Sequence, residues 1–123
     1  MKIKILVVDD ELLLRDVLFD YLNRQGFEVT LAPDAEKALE LTEHYIPDIA
    51  LIDIKLPKTS GIELTGILKN NFPDLPIIIM TGYPSLDTAI NAMENGATEY
   101  IVKPFRLDEL TRTINKHIPD TNN

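Results

Sequence analysis

Short apolar runs alternate along this chain with longer stretches in which apolar side chains recur every three or four residues. Residues 3–8, 27–31, 49–52, 77–80 and 100–102 are short and rich in Ile, Val and Leu, and they predict five strands. The runs at 49–52 and 77–80 have no polar interruption, as expected of strands covered on both faces. Between the runs the spacing changes to that of helices. Leu14, Leu18 and Leu22, with Val17 and Tyr21, form a first stripe, and Ala35, Ala38, Leu39 and Thr42 a second. Ile62, Leu64, Ile67 and Leu68 mark a third inward face, Ile90 with Met93 a fourth, and Leu107, Leu110 and Ile114 a fifth. Gly26 and Gly96 stand where helices should stop, and Pro47, Pro73 and Pro76 break helix before the next strand.

Five β–α units in succession predict an α/β fold, a doubly wound five-stranded parallel sheet with right-handed crossovers and helices on both faces. Such sheets commonly run in the order 2-1-3-4-5. Strands one and three are then neighbours where the winding reverses, which is where these sheets bind ligands. No repeat, linker or low-complexity segment interrupts the pattern, so one domain is expected over residues 1–118, with a frayed tail at 119–123.

Composition narrows the chemistry. The 123 residues suit one domain, and with 45% of them hydrophobic a full core is available. Twelve basic against 20 acidic side chains leave a formal charge of −8, and no run of Lys and Arg suggests a basic patch. Direct nucleic-acid binding is therefore not expected. The absence of cysteine excludes disulfides, thiol nucleophiles and thiolate metal sites. The apolar runs are far too short for a bilayer, and the first stops at Asp9, too soon for a signal peptide; no membrane partner and a cytoplasmic location are expected.

The residues that end the strands change the picture most. The first run ends in Asp9-Asp10-Glu11 with no cation between them, and the third ends in Asp53. Adjacent strands lie about 4.8 Å apart, which would gather the carboxylates of Asp9, Asp10 and Asp53 in one bowl. Strand four ends in Thr81-Gly82 and strand five in Lys103-Pro104, each delivering a polar group to the same rim. Two carboxylates about 5 Å apart repel by roughly 3 kcal/mol at an effective dielectric near 20. Lys103 alone does not offset three such pairs. Either one acid takes up a proton at neutral pH or a divalent cation is held. Carboxylates with no His or Cys nearby favour a hard ion, and Mg²⁺ takes one or two of them together with waters and a substrate phosphate. Each feature alone has an ordinary explanation: Asp9 or Asp10 as a cap for the next helix, Asp53 as a turn residue ahead of Pro57 and Gly61, the other two pairs as loop chemistry. Their joint occurrence at four strand ends points to a metal that carries a phosphoryl group.

Three stretches, VVDDE at residues 7–11, LIDIKLPKTSGIEL at 51–64 and IIIMTGYPSLDTAINAMENGATEYIVKPF at 77–105, resemble the receiver (phosphoacceptor) domain of two-component response regulators. The resemblance covers residues 2 to about 118 and implies a flavodoxin-like (βα)5 fold. It implies that Asp53 accepts a phosphoryl group from a phosphohistidine on a histidine kinase or histidine phosphotransfer protein. Asp10 would bind Mg²⁺ directly (or Mn²⁺ in its place), with Asp9 acting through water and the backbone carbonyl of Lys55 completing the set with Asp53. Lys103 would pair with the phosphoryl oxygens and the Thr81 hydroxyl would hydrogen-bond to them. Thr81 and Tyr100 would form the switch that alters the face of helix four, strand five and helix five, read by a downstream output domain or protein, or by a second copy in a phosphorylation-dependent homodimer. Lys55 and Tyr83 would flank the attack route of water, and the peptide at Lys103-Pro104 is often cis in this family. The domain would be no enzyme beyond turning over its own aspartyl phosphate.

Leu12 and Leu13 fall outside the inward stripe of the first helix, near the rim, with Pro104-Phe105 across from them; they are candidates for docking the phosphodonor. Other classes fit less well. A Mg²⁺-dependent phosphohydrolase of the haloacid-dehalogenase type needs a carboxylate two residues beyond its nucleophile, where this chain has Lys55. A flavodoxin needs a glycine- and hydroxyl-rich loop where this chain has acids, and a dinucleotide site needs a glycine motif that is absent. His44 and His117 lie on helices far from the acids. The remaining alternative, a receiver fold used as an unphosphorylated interaction module, leaves the intact acidic set without a purpose.

Overall fold

Side chains along a strand point alternately to its two faces, and in this sheet both faces are covered. In the computed structural model, which describes residues 2–118, the elements run β1 (Lys4–Val8), α1 (Leu12–Arg24), β2 (Glu28–Ala32), α2 (Ala35–Thr42) and β3 (Ile49–Asp53). They continue as α3 (Gly61–Asn71), β4 (Ile77–Thr81), α4 (Leu86–Glu94), β5 (Glu99–Val102) and α5 (Leu107–Lys116). All strand pairings are parallel, in the expected order β2-β1-β3-β4-β5. The tail at 119–123 lies outside the described residues.

Ile5, Val7, Ile49, Leu51, Ile78 and Met80 pack against Leu18 and Leu22 of α1 and Leu110 and Ile114 of α5. Their neighbours Leu6, Val8, Ala50, Ile52, Ile77 and Ile79 face Ala35 and Ala38 of α2, Leu64 and Leu68 of α3 and Ala92 of α4. Fully burying one Val, Leu or Ile contributes about 1.5–3 kcal/mol, so the two layers together hold the sheet rigid. Rigidity at the strand ends is what the site needs.

Helix starts follow local chemistry. The side chains of Asp34, Ser60 and Ser85 accept from the backbone N–H of Lys37, Glu63 and Thr88, capping α2, α3 and α4. Gly26 and Gly96, at φ +96° and +105°, end α1 and α4 in the left-handed conformation that a side chain disfavours. Neither Asp9 nor Asp10 caps α1, contrary to the simplest reading of an acid pair before a helix. The N-cap is Glu11, without a side-chain bond, and Asp9 turns back instead to accept from the Glu11 N–H at 2.8 Å.

The inward face of α4 also differs from expectation. Ile90 and Met93 are 45% and 47% exposed, and the residue α4 buries is Ala92. A small side chain lets the helix backbone sit close to the sheet, and the larger ones on its other side are turned to solvent. Ile67 and Val17 likewise lie at the outer edges of their stripes.

Candidate functional site

Strand register brings the polar strand ends level. Val8 pairs with Ile52, so Asp9, the next residue, stands beside Asp53. Asp53 pairs with Met80 and Thr81 with Val102, which sets Thr81 and Lys103 on the same rim. β3 and β4 each run one residue further than the apolar pattern predicts, so Asp53 and Thr81 are the last residues of their strands. The Lys103 N–H donates to the Thr81 carbonyl at 2.7 Å, which holds β5 to β4 at the site, and the Lys103-Pro104 peptide is cis as expected.

Asp9, Asp10 and Asp53 each offer a carboxylate oxygen within 4.8 Å of the others. Asp9 and Asp53 are buried and Asp10 is exposed. The Lys103 ammonium lies 2.9 Å from Asp9 Oδ2 and 3.4 Å from Asp53 Oδ2. Burial, then the charge of Asp9, push the Asp53 carboxyl above the ordinary carboxylate range; Lys103 and the adjacent Lys55 backbone oppose the rise. Burial works against the charged form of Lys103, but the two acids outweigh it and raise its value. The predicted frustration is therefore real and only partly relieved.

A cleft of about 330 Å³ opens above Asp53, bordered by Lys55, Thr81, Tyr83, Thr88 and Lys103. Thr81 is buried, and its Oγ1 accepts from the Tyr83 N–H at 3.0 Å. The Lys55 ammonium lies 3.6 Å from the centroid of the Tyr83 ring. Tyr100 faces outward, 42% exposed. Leu12 and Leu13 are exposed as expected, and Glu11, Leu14, Val17, Pro104 and Phe105 border a groove of about 390 Å³ beside Lys103. His117 is bonded to Glu99 at 2.6 Å, apart from the acids. Sequence reasoning gave no role to Thr88 or to the Glu11 backbone. The only available signal for Thr88 was its place in the first turn of the helix after strand four.

Fold and site define a CheY-like α/β domain with an acidic pocket at its topological switch point. Residues 5–115 match the family model of the response regulator receiver domain, and the chain belongs to that family. It is 40% identical over 112 residues to the two-component response regulator PhoP of Pseudomonas aeruginosa, covering 91% of this chain and 50% of that protein. It is 37% identical over 113 residues to the regulatory protein AtoC of Escherichia coli, covering 92% and 24%. The chain thus spans between a quarter and a half of these relatives. A CheY-like receiver domain protein of Methanospirillum hungatei superposes with a TM-score of 0.91 at 34% identity, covering 94% of this chain and 93% of that one. Chemotaxis protein CheY4 of Vibrio cholerae gives 0.93 at 27% identity, covering 96% and 100%. Among the described residues, no helix is long and apolar enough to cross a membrane.

Proposed function

We propose that this receiver domain is a phosphorylation-activated switch in a two-component phosphorelay, with Asp53 as the acceptor. One observation carries the proposal: Lys103 stands between Asp9 and Asp53 while Asp10 completes the acidic trio at the same strand ends. The donor is a phosphohistidine on a histidine kinase or a histidine phosphotransfer protein. A carboxylate oxygen of Asp53 attacks phosphorus, the donor's N–P bond breaks, and imidazole leaves with the electron pair.

The all-oxygen trio fits a hard cation. Asp10 would hold Mg²⁺ directly and Asp9 through a water, with Asp53 and the Lys55 carbonyl as further ligands; Mn²⁺ is the expected substitute. When bound, the ion neutralises charge on the phosphoryl oxygens. Lys103 contributes from the other side: its ammonium is already 3.4 Å from Asp53 and is positioned to meet those oxygens. The exposed Leu12 and Leu13, with Pro104 and Phe105, form the docking surface for the donor's helices.

Phosphorylation adds nearly two negative charges at Asp53. The Thr81 hydroxyl then donates to the phosphoryl group and Tyr100 turns inward. Thr81, Ala89 and Ala92 border the small space into which the ring turns, and the shift of Thr81 toward the phosphoryl group enlarges it. The surface of α4, β5 and α5, on which Leu86, Ile90, Met93 and Val102 are already exposed, changes shape and is read by a downstream output domain or protein, or by a second copy of the chain. Partner binding must in return favour the phosphorylated state.

The test is to add a small phosphodonor, with and without Mg²⁺, to wild type and Asp53→Asn and weigh the intact protein. One added phosphoryl group in the wild type, dependent on Mg²⁺ and absent from the variant, is expected. Equal labelling of both would overturn the assignment.

A further inference from the structure

The opposite edge of the sheet, where β3 and β4 begin, carries a groove of about 580 Å³, larger than the cleft above Asp53 and within the range of small-ligand sites. Ile46, Phe72 and Leu75 supply apolar lining, and Asp48 and Asp74 bring carboxylates to it. Its walls are held in place. Pro47, Pro73 and Pro76 each lock their own backbone angle φ. The Asp48 N–H donates to the Lys4 carbonyl at 2.8 Å, and Asp48 Oδ2 accepts from the Lys4 N–H at 2.7 Å. The Lys69 ammonium donates to the Pro73 and Leu75 carbonyls at 2.7 and 2.9 Å, which pins the loop after α3. Negative charge in the groove is not matched by cations. Among the described residues neither Asp48 nor Asp74 forms an ion pair. α3 and α5 end beside the groove, at Asn71 and Lys116, so the negative ends of two helix dipoles add to the carboxylates. The nearby cations are engaged elsewhere: Lys69 on the two carbonyls, Lys116 3.5 Å from Glu99, and His117, which borders the groove, bonded to Glu99 at 2.6 Å.

We propose that this groove is a second binding site, for a small organic cation: an ammonium or guanidinium group on an aromatic or aliphatic body. The charge is met by Asp48 and Asp74, and the body lies against Ile46, Phe72 and Leu75. A bare metal ion fits less well. Among the described residues, the acids close enough together to share a metal are Asp9, Asp10 and Asp53, at the other edge of the sheet. The groove also has an apolar lining that a metal ion would not use. The site stands apart from the acceptor and does not depend on phosphorylation of Asp53.

The test titrates the full chain with 2-phenylethylamine at pH 7, where the amine is charged, and follows it by two-dimensional nuclear magnetic resonance. Millimolar binding is expected of so small a ligand, with shifted signals at residues 46–48, 71–76 and 117. 2-Phenylethanol has the same ring without the charge and should bind about two- to fivefold more weakly, the worth of an exposed ion pair. Asp74→Asn should weaken the amine by a similar factor and leave the alcohol unchanged. Asp48→Asn, which can still accept from the Lys4 N–H, should do the same. Ile46 is 64% exposed and lies outside the core, so Ile46→Ser should weaken amine and alcohol alike without unfolding the chain. Equal affinity for amine and alcohol in the wild type, or amine binding that neither aspartate variant weakens, would overturn the proposal. So would the absence of shifts at millimolar amine. Shifts confined to Asp9, Asp10 and Asp53, and removed by adding Mg²⁺, would place the amine on the acceptor acids and overturn it as well.

Discussion

Lys103 lies closer to Asp9 than to Asp53, 2.9 Å against 3.4 Å, and Asp9 is the fully buried partner. The lysine therefore neutralises the carboxylate that has least access to water and leaves Asp53 with the residual repulsion. The other Asp9 oxygen accepts from the Glu11 N–H, so both are engaged. Of the two buried acids, Asp53 is the one held less closely by the lysine.

The first prediction follows from that imbalance. An acid whose folded value lies above its unfolded one binds protons more readily when folded, so stability falls as pH rises from the ordinary 3.8 through the raised value. In metal-free buffer at pH 7, Asp53→Asn should be more stable than wild type by about 1 kcal/mol, part of the repulsion between neighbouring carboxylates. The gap should close as pH falls toward the unfolded value. Denaturant melts across pH would check this; a gap that widens on acidification would contradict it.

A second prediction concerns Gly61, whose N–H donates to the Ile54 carbonyl at 2.8 Å. A Cβ there would overlap the backbone carbonyl of Asp53 and stand 2.9 Å from Ile54 Cα. Backbone cannot yield as a flexible side chain can. Gly61→Ala should cost about 1–3 kcal/mol, the usual penalty of overpacking, and should slow labelling of Asp53 by a small phosphodonor. Thermal melts and mass analysis would read the two effects.

Tyr100 allows stability and signalling to be separated. Because it faces solvent in this state, Tyr100→Ala should change stability by less than about 1 kcal/mol and leave phosphorylation by a small donor intact. It should, like Thr81→Ala, remove the phosphorylation-dependent gain in partner affinity, measured by calorimetry with and without the phosphodonor. Retained coupling in both variants would sink the proposed switch.

Leu13 tests the docking surface. At 72% exposure it contributes little to the core. Leu13→Asp should keep its Mg²⁺ binding and its labelling by a small phosphodonor. Transfer from a protein phosphohistidine donor should fall at least tenfold, a loss of about 1.4 kcal/mol in recognition. Normal transfer would remove these leucines from the interface.

Much of the site could be read before any coordinates because its residues stand at strand ends. Asp9, Asp10, Asp53, Thr81 and Lys103 each follow an apolar run, and a parallel sheet sends all such ends to one edge. The face of α4 was harder to read. Ile90 and Met93 recur at helical spacing, but periodicity does not say whether the large side chains or the small Ala92 meet the sheet. The Lys55–Tyr83 contact joins two loops, and no spacing within either one encodes it. Lys58, at φ +68°, is similarly silent, since nothing about a lysine announces left-handed backbone.

Alternation of short β-branched runs with helical stripes was enough to determine the element order, the parallel sheet and the rim that gathers the acids. These depend on local backbone preference and on which side chains must leave water, both carried by residue type. Tertiary structure alone decided which acid Lys103 lies closer to, that Tyr100 faces outward, and that Lys55 lies on Tyr83. Those are outcomes of distances of a few ångströms between groups far apart in the chain. At that range charge and packing energies change steeply, and only the assembled sheet sets the distances.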